Sequence, residues 1–346
     1  MTVSKLELVQ GFFDALGRGE IDAALAMTTE DAILDRRNSK APWAGLARGH
    51  AEIRDADAEL RDPVEGVVWT PTESRLVGPD MVVIRTKISV RGRSNQISVM
   101  ADGGWLVAFE GDLIAEGVLH QSYEQALLAA RRRRLGGARL YFVCEGLPNG
   151  RDPAPLLDAA LRGGVDVIQL REKAPRCAEE VISLAEPFAR AARDHGALFF
   201  LNDTPELVEP CGADGVHVGQ DDDPVAVARG TAGPSALVGL STHTAGQFDA
   251  GLEATGAGRP DQISAGPVWE TPTKAGRPAA GLGLIAHAAR AAAEDVPWFA
   301  IGGIEPATVG EVVAAGARRR LVVRAIRDAA DPEVAARELR AALTGA

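Results

Sequence analysis

Residues 213–222 read ADGVHVGQDD: a short β-branched run, bracketed by glycines, that closes on Gln220, Asp221 and Asp222. An apolar run of this length, ended by turn and polar residues, is a strand that delivers its polar end to a loop. The same grammar recurs on both sides. RLYFVCE (139–145), VDVIQL (165–170), ALFFLND (197–203), ALVGLS (236–241), DQISAG (261–266), PWFAIGG (297–303) and RLVVRAI (320–326) all carry it. Between them lie Ala-, Leu- and Glu-rich stretches suited to helices, such as PAPLLDAALRGG, AEEVISLAEPFARAARDHG and LIAHAARAAAED. Eight strand candidates alternating with helices over about 200 residues predict a (β/α)₈ barrel. The competing doubly wound sheet calls for a GxGxxG turn after its first strand, and Glu145-Gly146-Leu147-Pro148 does not supply one.

In such a barrel the chemistry sits at the C-terminal ends of the strands, and the polar residues fall there. Gln169, Arg171 and Lys173 follow the second strand, and Asn202 and Asp203 the third. Gln220, Asp221 and Asp222 follow the fourth, and Ser241, Thr242 and His243 the fifth. The loop after the sixth carries Thr271, Thr273 and Lys274; Gly302 and Gly303 follow the seventh, and Arg324 the eighth. Any one of these could be an ordinary turn. Seven consecutive strand ends of this kind, converging on one mouth, imply a site for phosphorylated ligands and a metal. Asp203 and Asp222 are hard oxygen ligands of the type Mg²⁺ takes beside substrate phosphates. Arg171, Lys173 and Lys274 can offset diphosphate charge. Gly302, Gly303 and the loop after the eighth strand match the usual phosphate site of the fold. His217 and His243 read as loop or packing histidines.

The texture changes at 131–138, RRRRLGGA. An anionic-partner patch is one reading of four arginines; a helix C-terminus favoured by the macrodipole and stopped by glycine is the other, and the acidic surroundings favour it. We read 1–130 as one domain, 131–138 as a linker and 139–346 as the barrel. In the first domain LVQGFFDALGRGEIDAALAM predicts two short helices broken near Gly17 and Gly19. Later runs predict a bent antiparallel sheet with turns at Gly78-Pro79-Asp80 and Asp102-Gly103-Gly104, an α+β domain. Its inward polar candidates are Asp35, His50, Trp69, Trp105 and His120.

Composition sets bounds on the function. The 346 residues carry a net charge of −11, with 46% apolar and 25% charged residues. Residues 1–130 hold 13 basic against 20 acidic side chains (−7) and the rest 24 against 28 (−4). Neither part has the basic footprint of a nucleic-acid binder. Cys144, Cys177 and Cys211 have no CxxC spacing and suit reduced thiols in the cytoplasm, without a disulfide or zinc framework. No signal-peptide pattern opens the chain, and no apolar run approaches the roughly 20 residues of a membrane helix.

QLREK (169–173), LND (201–203), ADGVHVGQDD (213–222), GLSTHT (239–244), GPVWETPTK (266–274) and AIGGI (300–304) together make residues 139–346 resemble thiamine-phosphate synthases. The resemblance implies a TIM-barrel transferase that joins a hydroxymethylpyrimidine diphosphate to a thiazole phosphate, releasing pyrophosphate. It implies that Gln169, Leu170, Arg171, Glu172, Lys173, Asn202, Ser241 and Lys274 hold the pyrimidine diphosphate, with Arg171, Lys173, Ser241 and Lys274 closest to the chemistry. Asp203 and Asp222 would bind Mg²⁺. Thr271, Pro272, Thr273, Gly303, Val323 and Arg324 would contact the thiazole phosphate. Two departures stand out: Arg324 replaces a frequent Ser, and Arg318, Arg319 and Arg320 occupy a place more often Asp-Gly. A thiazole tautomerase of the same barrel family and a non-catalytic thiamine-phosphate sensor are the alternatives, and the full set of charged residues argues against both. Residues 1–130 resemble SnoaL-like, NTF2-like cone domains through the opening helices, Trp43-Ala44-Gly45 leading into HAEIRD, and HQSYEQAL (120–127). The expected role of that domain is assembly into a homo-oligomer or modulation of the barrel.

Overall fold

The structure is a computed structural model that describes residues 4–40, 44–94, 98–172, 176–271, 278–292 and 296–342. The chain divides into two compact units, 1–130 and 131–346.

The first unit opens with α1 (Lys5–Arg18) and α2 (Ile21–Leu25). Ser4 and Glu7 form a reciprocal capping box at the start of α1, and Gly19 ends it at φ 77°, a conformation that favours glycine. Gly17, expected to break the helix, lies inside it. Next come β1 (Thr28–Asp35), β2 (Leu46–Arg48) and α3 (Gly49–Arg61). The long strands β3 (Val64–Leu76), β4 (Met81–Gly92), β5 (Ser98–Glu110) and β6 (Leu113–His120) follow. Their order in the sheet is β2-β1-β6-β5-β4-β3. The sheet is mixed, not purely antiparallel as expected, because β1 pairs parallel with β6. Strand β1 also precedes α3, so the helices do not all come first. Phe13, Trp69 and Trp105 pack ring on ring at 5.7–6.1 Å under the helices.

Gly78-Pro79-Asp80 turns the chain between β3 and β4 as expected, with Val77 N–H donating to the Met81 carbonyl at 2.9 Å. Asp102-Gly103-Gly104 is no turn; it lies within β5. The glycines answer to packing instead. A Cβ on Gly104 would stand 2.3 Å from the Ser122 carbonyl oxygen, which is rigid backbone. Gly104→Ala is therefore expected to destabilise this unit by about 3 kcal/mol through overpacking. Calorimetry showing an unchanged first-unit transition would contradict this.

Helix α4 runs unbroken from Tyr123 to Gly137, so residues 131–137, expected as linker, are helical. In the second unit β7 (Leu140–Cys144), β8 (Val167–Leu170), β9 (Leu198–Asn202) and β10 (Gly215–Val218) begin the barrel. β11 (Leu237–Thr242), β12 (Gln262–Ala265), β13 (Trp298–Ile301) and β14 (Arg320–Val322) complete it. All pair in parallel and close with β14 against β7. Helices α5 (Ala154–Arg162) through α12 (Pro332–Ala341) surround it, except that β9 and β10 are joined through a single 3₁₀ turn, Pro205–Leu207. Alternation sorts the side chains. Phe142, Ile168, Phe199, Val216 and Ile263 join the layer under the helices. Tyr141, Phe200 and Phe299 fill the interior, with centroids 5.5–5.8 Å apart.

The N-terminal end of the barrel is tied by three aspartates, each one residue ahead of a strand. Asp166 accepts from Arg139 and Leu140 N–H at 2.7 and 3.1 Å, Asp214 from Phe199 N–H at 3.0 Å, and Asp261 from Val238 N–H at 2.8 Å. Each is met by arginine: Arg340 at 2.6 Å, Arg131 at 2.9 Å, and both Arg132 and Arg229 at 2.7 and 2.9 Å. Arginines of the 131–134 run thus brace the barrel floor, which a helix C-terminus alone did not foretell. Arg319 donates to the Ala138 and Gly136 carbonyls, at 3.1 and 2.9 Å, on the same end.

Candidate active site

At the opposite end a cavity of about 80 Å³ opens, lined on one side by Gln169, Arg171, Asn202 and Ser241 and on the other by Thr271, Gly303, Val323 and Arg324. They arrive from the C-terminal ends of six strands or the loops after them, β8, β9 and β11 on the first side and β12, β13 and β14 on the second, as the sequence pattern required. Gly302 and Gly303 hold φ of 106° and 67°. A Cβ on Gly302 would lie 2.4 Å from Pro267, so glycine is what lets the two loops close together. Arg324 stands at the start of α11 (Arg324–Arg327), 3.9 Å from Glu305, an ion pair too long and too exposed to occupy the guanidinium.

Beside the cavity, Asp203 and Asp222 come into mutual hydrogen-bond reach. Partial desolvation and the facing Asp222 carboxylate push the Asp203 carboxyl well above the usual carboxylate range, against the pull of Arg171 and a hydrogen bond from Asn202. Asp203 sits at φ 60°, a left-handed conformation that Asp and Asn tolerate better than other side chains. Asp222 accepts from Gly219 N–H at 2.7 Å. Two solvent-reached carboxylates held this close repel unless a proton or a cation lies between them, and that donor set fits a hard divalent ion. No cluster of three or more metal-binding side chains occurs among the described residues; Mg²⁺ commonly completes its shell with water and substrate phosphate.

Two expected contacts point elsewhere. Leu170 is buried under the helices. Glu172 accepts from Gly146 N–H at 2.6 Å and pairs with Arg176 at 3.2 Å, so it shapes the loop after β7. Lys173, Pro272, Thr273 and Lys274 lie outside the described residues, as does Trp43.

His217, read as a loop or packing histidine, is buried within the barrel and also reaches the cavity. Gln262 Nε2 donates to its Nδ1 at 2.7 Å, which leaves Nε2–H to donate to Ser241 Oγ at 2.9 Å. Ser264 Oγ stands 3.4 Å from both, and Gln220 Nε2 donates to the Ser241 carbonyl at 2.7 Å. The available signal was parity: His217, Ser241, Gln262 and Ser264 all occupy inward positions of their strands, where an inert core would carry apolar side chains. His243 holds the Gly266 carbonyl at 2.6 Å and positions a loop, as expected.

A closed parallel barrel with a basic, glycine-edged mouth and a carboxylate pair defines an enzyme that handles phosphorylated ligands. Comparison with known proteins carries this to a family. The sequence pattern of thiamine monophosphate synthases matches residues 140–326, and that of SnoaL-like domains matches 9–117. A thiamine-phosphate synthase of Arthrobacter sp. (strain FB24) is 47% identical over 238 residues, covering 64% of this chain and 97% of the relative. One from Mycobacterium bovis is 46% identical over 221 residues, 62% of this chain and 98% of the relative. Among solved structures, a thiamine phosphate pyrophosphorylase from Pyrococcus furiosus superposes with a TM-score of 0.53 at 28% identity, over 62% of this chain and 98% of that one. The chain belongs to the thiamine monophosphate synthase family, and it is a transferase that forms thiamine phosphate. No helix among the described residues is long and apolar enough to cross a membrane.

Proposed function

We propose that the two walls of the mouth divide the substrates. Gln169, Arg171, Asn202 and Ser241, with Lys173 and Lys274, hold the pyrimidine diphosphate. Thr271, Gly303, Val323 and Arg324, with Pro272 and Thr273, hold the thiazole phosphate. The observation that supports this is the single cavity joining both walls next to the paired carboxylates. Asp203 and Asp222 hold Mg²⁺, which neutralises charge building on the departing diphosphate when bound. Arg171 adds its fixed charge on the same side. Asn202 and Ser241 orient the pyrimidine, and the Gln262–His217 pair fixes which way the Ser241 hydroxyl points. No side chain has to act as nucleophile: loss of pyrophosphate leaves a methylene cation that the thiazole nitrogen captures, and the site's work is charge stabilisation and alignment.

Purified chain mixed with both substrates and Mg²⁺ yields thiamine phosphate and pyrophosphate in equal amounts, and EDTA stops it. Undiminished turnover in EDTA would refute the metal assignment. Arg324→Ala is expected to raise KM for the thiazole phosphate about 10- to 100-fold, the worth of a lost charge-assisted contact. The KM for the pyrimidine diphosphate should stay within about twofold. An equal rise in both would place Arg324 elsewhere in the cycle.

A further inference from the structure

The first unit encloses two cavities that its packing leaves unfilled. One, of about 70 Å³, lies among Phe13, Leu25, Ile53, Trp69, Trp105 and Arg36. The other, of about 380 Å³, is lined by Trp69, Thr86, Ile88, Leu119 and His120. Trp69 borders both. The larger is within the range of small-molecule sites, and the walls of both are mainly apolar.

The polar atoms in these walls are what a filled core would not keep. Arg36 Nε, Thr86 Oγ1, Trp105 Nε1 and His120 Nε2 are buried with no hydrogen-bond partner among the described residues. Thr86, Trp105 and Arg36 are only 0%, 5% and 7% exposed. Buried groups left unpaired are destabilising, and natural proteins hold few of them. Four around two cavities that share Trp69 as a wall is a concentration. Their chemistry is also one-sided. Arg36 Nε and Trp105 Nε1 can only donate, so the partner they lack must accept; Thr86 and His120 can also donate to it. The carboxylates whose charge reaches these groups do not fill that place: Glu59 and Asp57 act on Arg36 and Asp35 on His120, and none of them hydrogen-bonds Arg36 Nε or His120 Nε2. Asp57, which lines the smaller cavity, is taken by Arg61 at 2.8 Å, and Asp35 by Arg37 at 2.7 Å. His50, another inward candidate, is occupied by Thr28 Oγ1 and the Thr29 carbonyl, both at 3.0 Å.

We propose that the first unit binds a small ring-containing organic acid. Its carboxylate meets Arg36 and Trp105 in the smaller cavity, and its apolar body lies along Trp69 in the larger one, within reach of Thr86 and His120. This site is separate from the synthase residues and does not depend on how they are assigned.

The test uses the full chain and two matched probes, 2-naphthoate and the neutral 2-naphthylmethanol, titrated calorimetrically. Naphthoate is expected to bind saturably and at least about tenfold tighter than the alcohol. Arg36→Gln should weaken naphthoate about 10- to 100-fold, as expected for a charge-assisted hydrogen bond, and leave the alcohol within about twofold. Trp105→Phe keeps an aromatic ring and removes only the indole donor; it provides a second reading if Arg36→Gln does not fold, with a loss of fivefold or more. Thr86→Val should leave the ligand-free melting temperature unchanged or higher, because its hydroxyl has no partner to lose. No saturable binding of naphthoate, equal affinity for acid and alcohol, or naphthoate affinity indifferent to both Arg36→Gln and Trp105→Phe would each overturn the proposal.

Discussion

Asp203→Asn is expected to lower kcat about a thousandfold while leaving the fold intact, the loss of roughly 4 kcal/mol of metal-borne charge stabilisation. Asparagine accepts the φ of 60° that Asp203 adopts, so the backbone has no reason to move. What disappears is one of the two carboxylates proposed to hold Mg²⁺. The same substitution should make the metal-free chain at least as stable, because it removes a carboxylate that faces Asp222. The sign follows from the raised Asp203 carboxyl. A group whose folded pKa lies above its unfolded one favours folding at low pH and loses that contribution as pH climbs through the folded value. In EDTA, the stability difference between the variant and the parent chain should therefore vanish near pH 4 and favour the variant by pH 8. Thermal unfolding at the two pH values reads it. A kcat within tenfold of the parent at the same Mg²⁺ concentration would remove Asp203 from the proposed metal site.

Arg131→Ala is expected to destabilise the barrel by about 3–5 kcal/mol, the penalty for stranding a buried charge. Arg131 and Asp214 are 5% and 11% exposed along their side chains, and they meet at 2.9 Å. Arg131 Nη1 also donates to the Ser235 carbonyl at 2.7 Å. Without the guanidinium, Asp214 loses the cation that meets it at 2.9 Å and keeps the Phe199 N–H. The neighbouring Arg132→Ala serves as the control. Arg132 is half exposed, and Asp261 retains Arg229 at 2.9 Å, so the change should fall below about 1 kcal/mol. Unfolding followed through loss of synthase activity assigns the transition to the barrel. Equal effects of the two substitutions would mean that burial of the pair does not set its contribution.

Much of this was legible because barrel strands advertise themselves. ALFFLND and ADGVHVG carry short apolar runs whose last residues cannot stay buried, and that pattern needs no knowledge of partners. The carboxylates, hydroxyls and glycines at those ends could be placed on one rim before any coordinates, since a parallel barrel puts every strand's C-terminus on the same side. The first unit was harder to read. Asp102-Gly103-Gly104 carries a turn's local chemistry, yet β5 passes straight through it, because the glycines answer to the backbone of Ser122, eighteen positions on from Gly104. Strand β1 went unseen since TTEDAILD alternates poorly and its partner β6 comes late in the chain.

By itself, then, the amino-acid order determined the period of the barrel's elements, the number of its strands, the end of each that bears polar residues, and the family those residues belong to. These are local properties, set by spacing along the chain. The tertiary structure decided what depends on distant partners. It decided that Asp203 and Asp222 share one space, that His217 turns inward to Ser241 and not outward to solvent, and that the arginine run closes on Asp214 and Asp261. It also decided that Leu170 and Glu172 do not line the cavity that Gln169 and Arg171 reach, because neighbouring positions on a strand and its loop point to opposite faces. It alone revealed the unpaired donors around Trp69, since a missing hydrogen-bond partner is a fact about three-dimensional surroundings that residue order does not carry.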